Sequence, residues 1–275
     1  MKLRAILYPC YRLVCKLMYR LGNYLFLYHV EMPVTQKCSL RCKDCVFLMT
    51  KFEHPIDYDL DNLLKYMDRL FNVVDGIQIF RILGGEPFVY KNLAPIIQKA
   101  VDSKCCKTVE VVSNGTIIPS QEILDVMKNP KVKLQISDYG NFSRKRDELK
   151  AICDEQGIEC VVRGSDEKNW FDAGDLHFRG RSKSEIRSQF RHCGEICRNY
   201  LDGRLYYCQR AAFGTKLSIP DKESDYVDFT KDLDKKGLRK QIHRLNQRKW
   251  LIACNYCNVG TKEYIPIPVA EQINE

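Results

Sequence analysis

"TQKCSLRCKDCVF", Thr35 to Phe47, places Cys38, Cys42 and Cys45 within eight residues. The stretch follows an apolar, strand-like run at 25–34 and precedes a helical pattern at 57–71, so it reads as the loop of a strand–loop–helix unit. Three thiolates at this spacing can wrap three corners of a cubane iron–sulfur cluster and leave one iron without a protein ligand. An open iron is useful only if another molecule ligates it, as in catalytic rather than structural metal sites. The competing readings are zinc, which needs a fourth ligand and has His54 as the nearest imidazole, and thiols that bind nothing.

Outward from that loop the same unit repeats. Strand-like runs at 25–34, 77–83, 108–113, 132–137 and 158–163 alternate with helix-like stretches at 57–71, 91–102, 120–128 and 143–155. Such alternation predicts an α/β fold of parallel strands covered by helices, with functional groups gathered at the C-terminal strand ends. After about residue 165 the alternation stops and new cysteines appear. The predicted organisation is an extension over 1–30, a core over 31–180 and a small domain over 188–265, with the boundary near Asp175 to Ser188.

Composition narrows the class. With 275 residues and 45% hydrophobic side chains, the chain can bury a core. Its 44 Lys and Arg against 35 Asp and Glu give net +9, which suits a small anionic ligand or an ordinary basic surface. No basic block is long enough to predict nucleic-acid binding. The fourteen cysteines cluster at metal-binding spacings rather than as a disulfide framework, which predicts a reducing, cytoplasmic setting. The first 30 residues hold Lys2, Arg4, Arg12, Lys16 and Arg20 and no acid. These charges interrupt every apolar stretch before it could span a bilayer. Leu13, Leu17, Met18 and Leu21 share a helical face, expected to pack on the outside of the domain, with contact to a membrane surface as the alternative.

The C-terminal third holds Cys193, Cys197, Cys208, Cys254 and Cys257. Asp202-Gly203 is a strong hairpin turn, and a two-residue loop would set Cys197 across from Cys208. With Cys254-x2-Cys257 from a separate segment, four thiolates could hold zinc or a fully ligated cluster. Cys10, Cys15, Cys105, Cys106, Cys153 and Cys160 lie in apolar or helical settings and read as packing residues.

The motif Cys38-x3-Cys42-x2-Cys45 resembles that of the radical S-adenosylmethionine enzymes. The resemblance implies a 4Fe-4S cluster whose unique iron binds S-adenosylmethionine, reductive cleavage of that cofactor to a 5'-deoxyadenosyl radical, and hydrogen abstraction from a substrate. It implies a partial parallel (β/α) barrel and a reductant protein such as flavodoxin or ferredoxin. Gly84-Gly85-Glu86-Pro87, 39 residues after the third Cys, resembles the family's Gly-Gly-Glu motif. There the glycines would let the backbone approach the cofactor and Glu86 would accept from its ammonium group. Ser113 and Asn114 resemble the ribose-contacting position, and Ser137 would reach the ribose or carboxylate. The family's aromatic residue before the third Cys is here Asp44, so its adenine contact passes to no named residue.

Cys193, Gly203, Cys208 and the distant Cys pair resemble the Twitch module, the shortened form of SPASM, which holds a second iron–sulfur cluster, expected to be 4Fe-4S. Family spacing favours Cys193 as its first ligand and hairpin geometry favours Cys197. The function implied is an oxidoreductase-like enzyme that carries out an oxidative or a redox-neutral, rearranging reaction on a polyol, sugar or nucleotide sugar, with Arg163, Arg179 and Arg181 as candidate anion contacts. Radical modification of a peptide is the second reading. A non-catalytic zinc or electron-transfer protein is the third, and it leaves Gly84 to Pro87 without a purpose.

Overall fold

The computed structural model describes residues 2–164, 170–222 and 225–273. Helix α1 (Lys2–Gly22) leads into β1 (Phe26–Pro33), after which strands and helices alternate. The series runs α2 (Leu60–Val73), β2 (Gly76–Leu83), α3 (Leu93–Asp102), β3 (Cys106–Ser113), α4 (Gln121–Met127), β4 (Val132–Asp138), α5 (Arg146–Glu155) and β5 (Cys160–Gly164). All five strands are parallel neighbours in the order β5-β4-β3-β2-β1. This is the α/β, mostly parallel arrangement that the alternation predicts, with strand limits within two residues of expectation.

The outer faces of the strands bury Val30, Met32, Phe80, Ile82, Val109, Val111, Leu134 and Ile136 against Met67, Leu70, Ile96, Ile97 and Met127 of the helices. Each such side chain contributes about 1.5–3 kcal/mol. α2 is started by Asp59, whose carboxylate accepts from the Asn62 N–H at 3.0 Å.

The C-terminal third continues the same sheet instead of forming a detached unit. α6 (Lys183–Cys193) is followed by β6 (Cys197–Leu201), which pairs in parallel with β1 on the side opposite β2. A tight turn at Asp202 and Gly203, with φ of 49° and 70°, returns the chain as antiparallel β7 (Arg204–Tyr206). After α7 (Gln209–Leu217), β8 (Tyr226–Asp228) pairs with β7, and α8 (Lys235–Asn246) follows. The sheet therefore reads β5-β4-β3-β2-β1-β6-β7-β8.

Three local expectations are corrected. The extension predicted over 1–30 ends earlier, because residues 26–30 already belong to a central strand. α1 also packs by the opposite face from the one expected. Tyr11 meets Tyr28 edge-on and Tyr19 stacks on His243, while Leu13, Leu17 and Leu21 are exposed. Cys10, read as a packing residue, is exposed as well. Two broad aromatic rings outcompete the smaller leucines for the inner surface.

Candidate active site

At the C-terminal ends of β1 to β4 the sheet encloses a cavity of about 780 Å³. Cys38, Cys42 and Cys45 line it, together with Gly84, Gly85, Ser113, Asn114 and Ser137. The loop after β1 carries the three thiols, and the ends of β2, β3 and β4 carry the others. Val34 N donates to Leu83 O at 2.8 Å, extending the pairing of β1 with β2 into the cysteine loop.

The two glycines hold that loop by backbone contact. Gly85 N donates to Thr35 O at 3.0 Å and Glu86 N to Lys37 O at 2.9 Å. A Cβ on Gly84 would stand 2.6 Å from Thr35 O, and one on Gly85 would stand 2.3 Å from Lys37 O. Glycine is needed because two backbone segments touch here.

Glu86 departs from the expected role. It is fully buried, and its two oxygens accept from Asn114 N at 2.7 Å and Phe88 N at 3.1 Å. Neither it nor Pro87 is among the residues lining the cavity. The carboxylate ties the turn after β2 to the end of β3, so it is a positioning residue rather than an acceptor open to a ligand. Burial pushes its pKa up to about 7, against the pull of those N–H groups.

The thiols are sheltered and surrounded by donors. Cys38 Sγ accepts from Leu40 N at 3.5 Å and from Asn114 Nδ2 at 3.6 Å. Cys42 Sγ accepts from Gln272 Nε2 at 3.3 Å. Burial pushes Cys38 up to about 12 and also raises Cys42 and Cys45. Ligation would therefore release protons. Ser113 Oγ accepts from Gly115 N, and Asn114 Nδ2 also reaches Ser39 Oγ at 3.1 Å, so both serve the loops as well as the cavity. Phe47 meets Phe213 edge-on, and Asp44 is half-buried. His54, the imidazole considered for zinc, is exposed and does not line the cavity.

A second pocket gathers Cys193, Cys208, Cys254 and Cys257. Cys193 is the last residue of α6, which starts with a Ser182–Glu185 capping box and ends at Gly194 in the left-handed conformation. Cys208 is the N-cap of α7. Asp225 accepts from Ile252 N and Ala253 N and so fixes the turn before Cys254. Gly260, at φ +83°, lets the segment after Cys257 touch α6, because a Cβ there would stand 2.4 Å from Gln189 O and 2.7 Å from Cys193 N. Burial raises all four thiols, and Arg210 pulls Cys257 back.

Cys197 stands apart from them. Regular pairing of β6 with β7 stops at Asn199 and Tyr206, so the hairpin does not carry Cys197 to Cys208. Cys197 instead aligns with His29 of β1, with Sγ 3.1 Å from Nδ1, and faces the larger cavity. His29, Glu31 and Cys197 form a trio whose ligand atoms lie within 4.8 Å of one another. Glu195 lines both pockets, its carboxylate accepting from Ile196 N and Cys197 N at 2.8 Å.

Sequence reading missed the floor of the cavity. Glu31, Arg81 and Glu110 are register partners on β1, β2 and β3. Arg81 donates to Glu110 Oε2 at 2.6 Å and to Glu31 Oε1 at 3.2 Å, while Asn199 of β6 donates to Glu31 at 3.4 Å. The signal was a charged residue set between two apolar ones in each of three strands: Val30-Glu31-Met32, Phe80-Arg81-Ile82 and Val109-Glu110-Val111. Burial lifts Glu31 to about 7, with Arg81 pulling it down. Tyr139 and Trp170, packed edge-on, add an aromatic wall. Of the three arginines expected to meet anions, Arg163 lines the cavity. Arg179 is turned to Asp175 and to His177 O, and Arg181 donates to Cys254 O and Cys257 O.

Residues 32–137 match the Radical SAM superfamily model, and the chain carries a radical SAM domain over that span. Over 145 residues it is 29% identical to a GTP 3',8-cyclase of Campylobacter jejuni subsp. doylei, covering 50% of this chain and 42% of that protein. Over 131 residues it is 26% identical to a GTP 3',8-cyclase of Clostridium botulinum, covering 45% and 38%. The chain thus spans about two-fifths of the length of these curated relatives. Among solved structures, BtrN in complex with AdoMet and 2-DOIA superposes with a TM-score of 0.52 at 16% identity, over 87% of this chain and 97% of that one. anSMEcpe with bound AdoMet gives 0.51 at 10%, over 89% and 93%. At these identities the likeness is one of fold, that of a radical SAM partial barrel.

Proposed function

We propose that this protein is a radical S-adenosylmethionine enzyme acting on a polyol, sugar or nucleotide sugar held in the larger cavity, between two iron–sulfur centres. The observation that carries the reading is the arrangement of the thiols. Three line the cavity at the β1–α2 loop, and four more lie in a pocket that shares Glu195 with it.

The donor set fits clusters better than zinc. Tetrahedral zinc with bonds near 2.3 Å would bring thiolates to about 3.8 Å of one another. Among the described residues, the trio of donors within 4.8 Å is His29, Glu31 and Cys197, which belongs to neither thiol group. A cubane, with an iron at each corner, spreads its ligands more widely. Cys38, Cys42 and Cys45 would hold the first 4Fe-4S cluster, and Cys193, Cys208, Cys254 and Cys257 the second. When bound, the first cluster and S-adenosylmethionine supply one-electron cleavage and hydrogen-atom abstraction.

The chain's own residues position and shield. Gly84, Gly85, Ser113, Asn114 and Ser137 would seat the cofactor, and Tyr139 with Trp170 would shield the cavity from water. Glu31, Arg81, Glu110 and Gln135 offer the donors and acceptors that a hydroxyl-rich substrate needs, with Arg163 available to a phosphate. A nucleotide-like substrate also agrees with the name of the GTP 3',8-cyclase relatives. A second centre held by Cys193, Cys208, Cys254 and Cys257 would lie beside the cavity, where it could take an electron from the substrate in an oxidative reaction. A flavodoxin- or ferredoxin-like protein would supply the reductant.

Protein purified without oxygen should be brown and carry about eight irons per chain. With dithionite and S-adenosylmethionine it should form 5'-deoxyadenosine. The triple variant Cys38→Ala/Cys42→Ala/Cys45→Ala should lose that activity and keep about four irons. Colourless protein holding two zincs would overturn the reading.

A further inference from the structure

α1 presents an apolar stripe to solvent. Its inner face is occupied by Tyr11 and Tyr19, in contact with Tyr28 and His243. On the other side Leu13, Val14, Leu17 and Leu21 are 56%, 53%, 45% and 84% exposed. At 3.6 residues per turn these four fall within an arc of about 100°. Arg12, Lys16 and Arg20 run along one margin of the stripe, and residues 2–22 contain no acid. Beside the helix lies an open groove of about 980 Å³ whose lining adds Arg187, Arg191 and Lys249 to Arg12 and Lys16.

We infer that α1 is an interfacial helix that docks this protein reversibly on a membrane surface bearing anionic lipid. The leucines would enter the boundary between headgroups and acyl chains, while the cations reach the lipid phosphates. No helix among the described residues is long and apolar enough to cross a membrane, so the contact is a surface one. A second copy is a poorer occupant, because a symmetric helix pair would set Arg12, Lys16 and Arg20 against their own equivalents. A protein partner is poorer too. Aliphatic side chains strung along a helix lack the clustered aromatic anchors that carry most protein interfaces, and they match a fluid acyl surface. The inference does not rest on the metal centres or the substrate.

The test is flotation of the full chain, purified with its metal centres, on vesicles of equal parts phosphatidylcholine and phosphatidylglycerol, or of phosphatidylcholine alone. The protein should float with the mixed vesicles at least about tenfold better than with the neutral ones, and high salt should release it. Leu13→Glu/Leu17→Glu and, independently, Lys16→Glu/Arg20→Glu should each cut the bound fraction about tenfold. Their circular dichroism and melting temperature should stay at the wild-type values, since these side chains are at the surface. Flotation that is absent, equal on both vesicles or unchanged in both variants would overturn the inference. So would a dimer that Leu13→Glu/Leu17→Glu dissociates, or capture of an acidic electron-transfer protein that the same variant abolishes while no vesicles are bound.

Discussion

Glu86 joins the turn after β2 to β3 through buried hydrogen bonds to two backbone N–H groups. Glu86→Ala should therefore cost about 2–6 kcal/mol, because each buried donor left unpaired costs about 1–3 kcal/mol. Denaturant titration under anaerobic conditions measures it. Glu31 makes a pH-dependent counterpart. Its folded pKa, about 7, stands above the roughly 4.3 of an unfolded glutamate. The folded state holds that proton more tightly, so the stabilisation is complete below about 4.3 and is lost as pH rises through about 7. Glu31→Gln removes this loss. Its stability relative to wild type should rise by about 1–3 kcal/mol from about pH 5 to pH 8. Glu86, shifted in the same direction, is present in both proteins and cancels in the difference. A flat difference would mean that Arg81 offsets burial completely.

At the scale of elements, the four-thiol pocket is assembled from the end of α6, the start of α7 and the loop from Leu251 to Gly260. Cys193→Ala should lower iron from about eight to about four per chain, while Cys197→Ala should leave it at about eight. Iron analysis with visible absorption separates the outcomes, and the reverse pattern would return the ligand role to Cys197. Gly260→Ala tests the packing rather than the ligand. Its Cβ would press on Gln189 O and Cys193 N from a left-handed backbone that L residues rarely adopt. The expected result is the iron content of Cys193→Ala with every thiol still present.

For the whole molecule, the sheet is continuous from β5 to β8, and β1, which opens the series in sequence, is central in space. Its neighbours are β2 and β6, one from each predicted domain. The core and the C-terminal third should therefore melt as one cooperative unit in calorimetry. Proteolysis between residues 170 and 182 should release no folded fragment, because removing β6 would bare the edge of β1 and uncover its apolar face. Two separated transitions, or a stable fragment ending near residue 165, would show instead that the appendage folds independently.

The sequence alone determined what is local and periodic. It set the strand–helix alternation, the three-cysteine loop at the end of the first strand, the double glycine after the second and the Asp202-Gly203 turn, because each is fixed by side-chain spacing or backbone permission within a few residues. Tertiary structure decided what depends on partners far along the chain. It placed Gln272 on Cys42 and joined Glu31, Arg81 and Glu110 across three strands. It turned the Glu86 carboxylate inward, chose the tyrosine face of α1 over the leucine face, and sent Cys193 to one pocket and Cys197 to the other. Spacing could not decide these, because whether a side chain meets water, a thiol or a charge is set by which strand lies alongside its own.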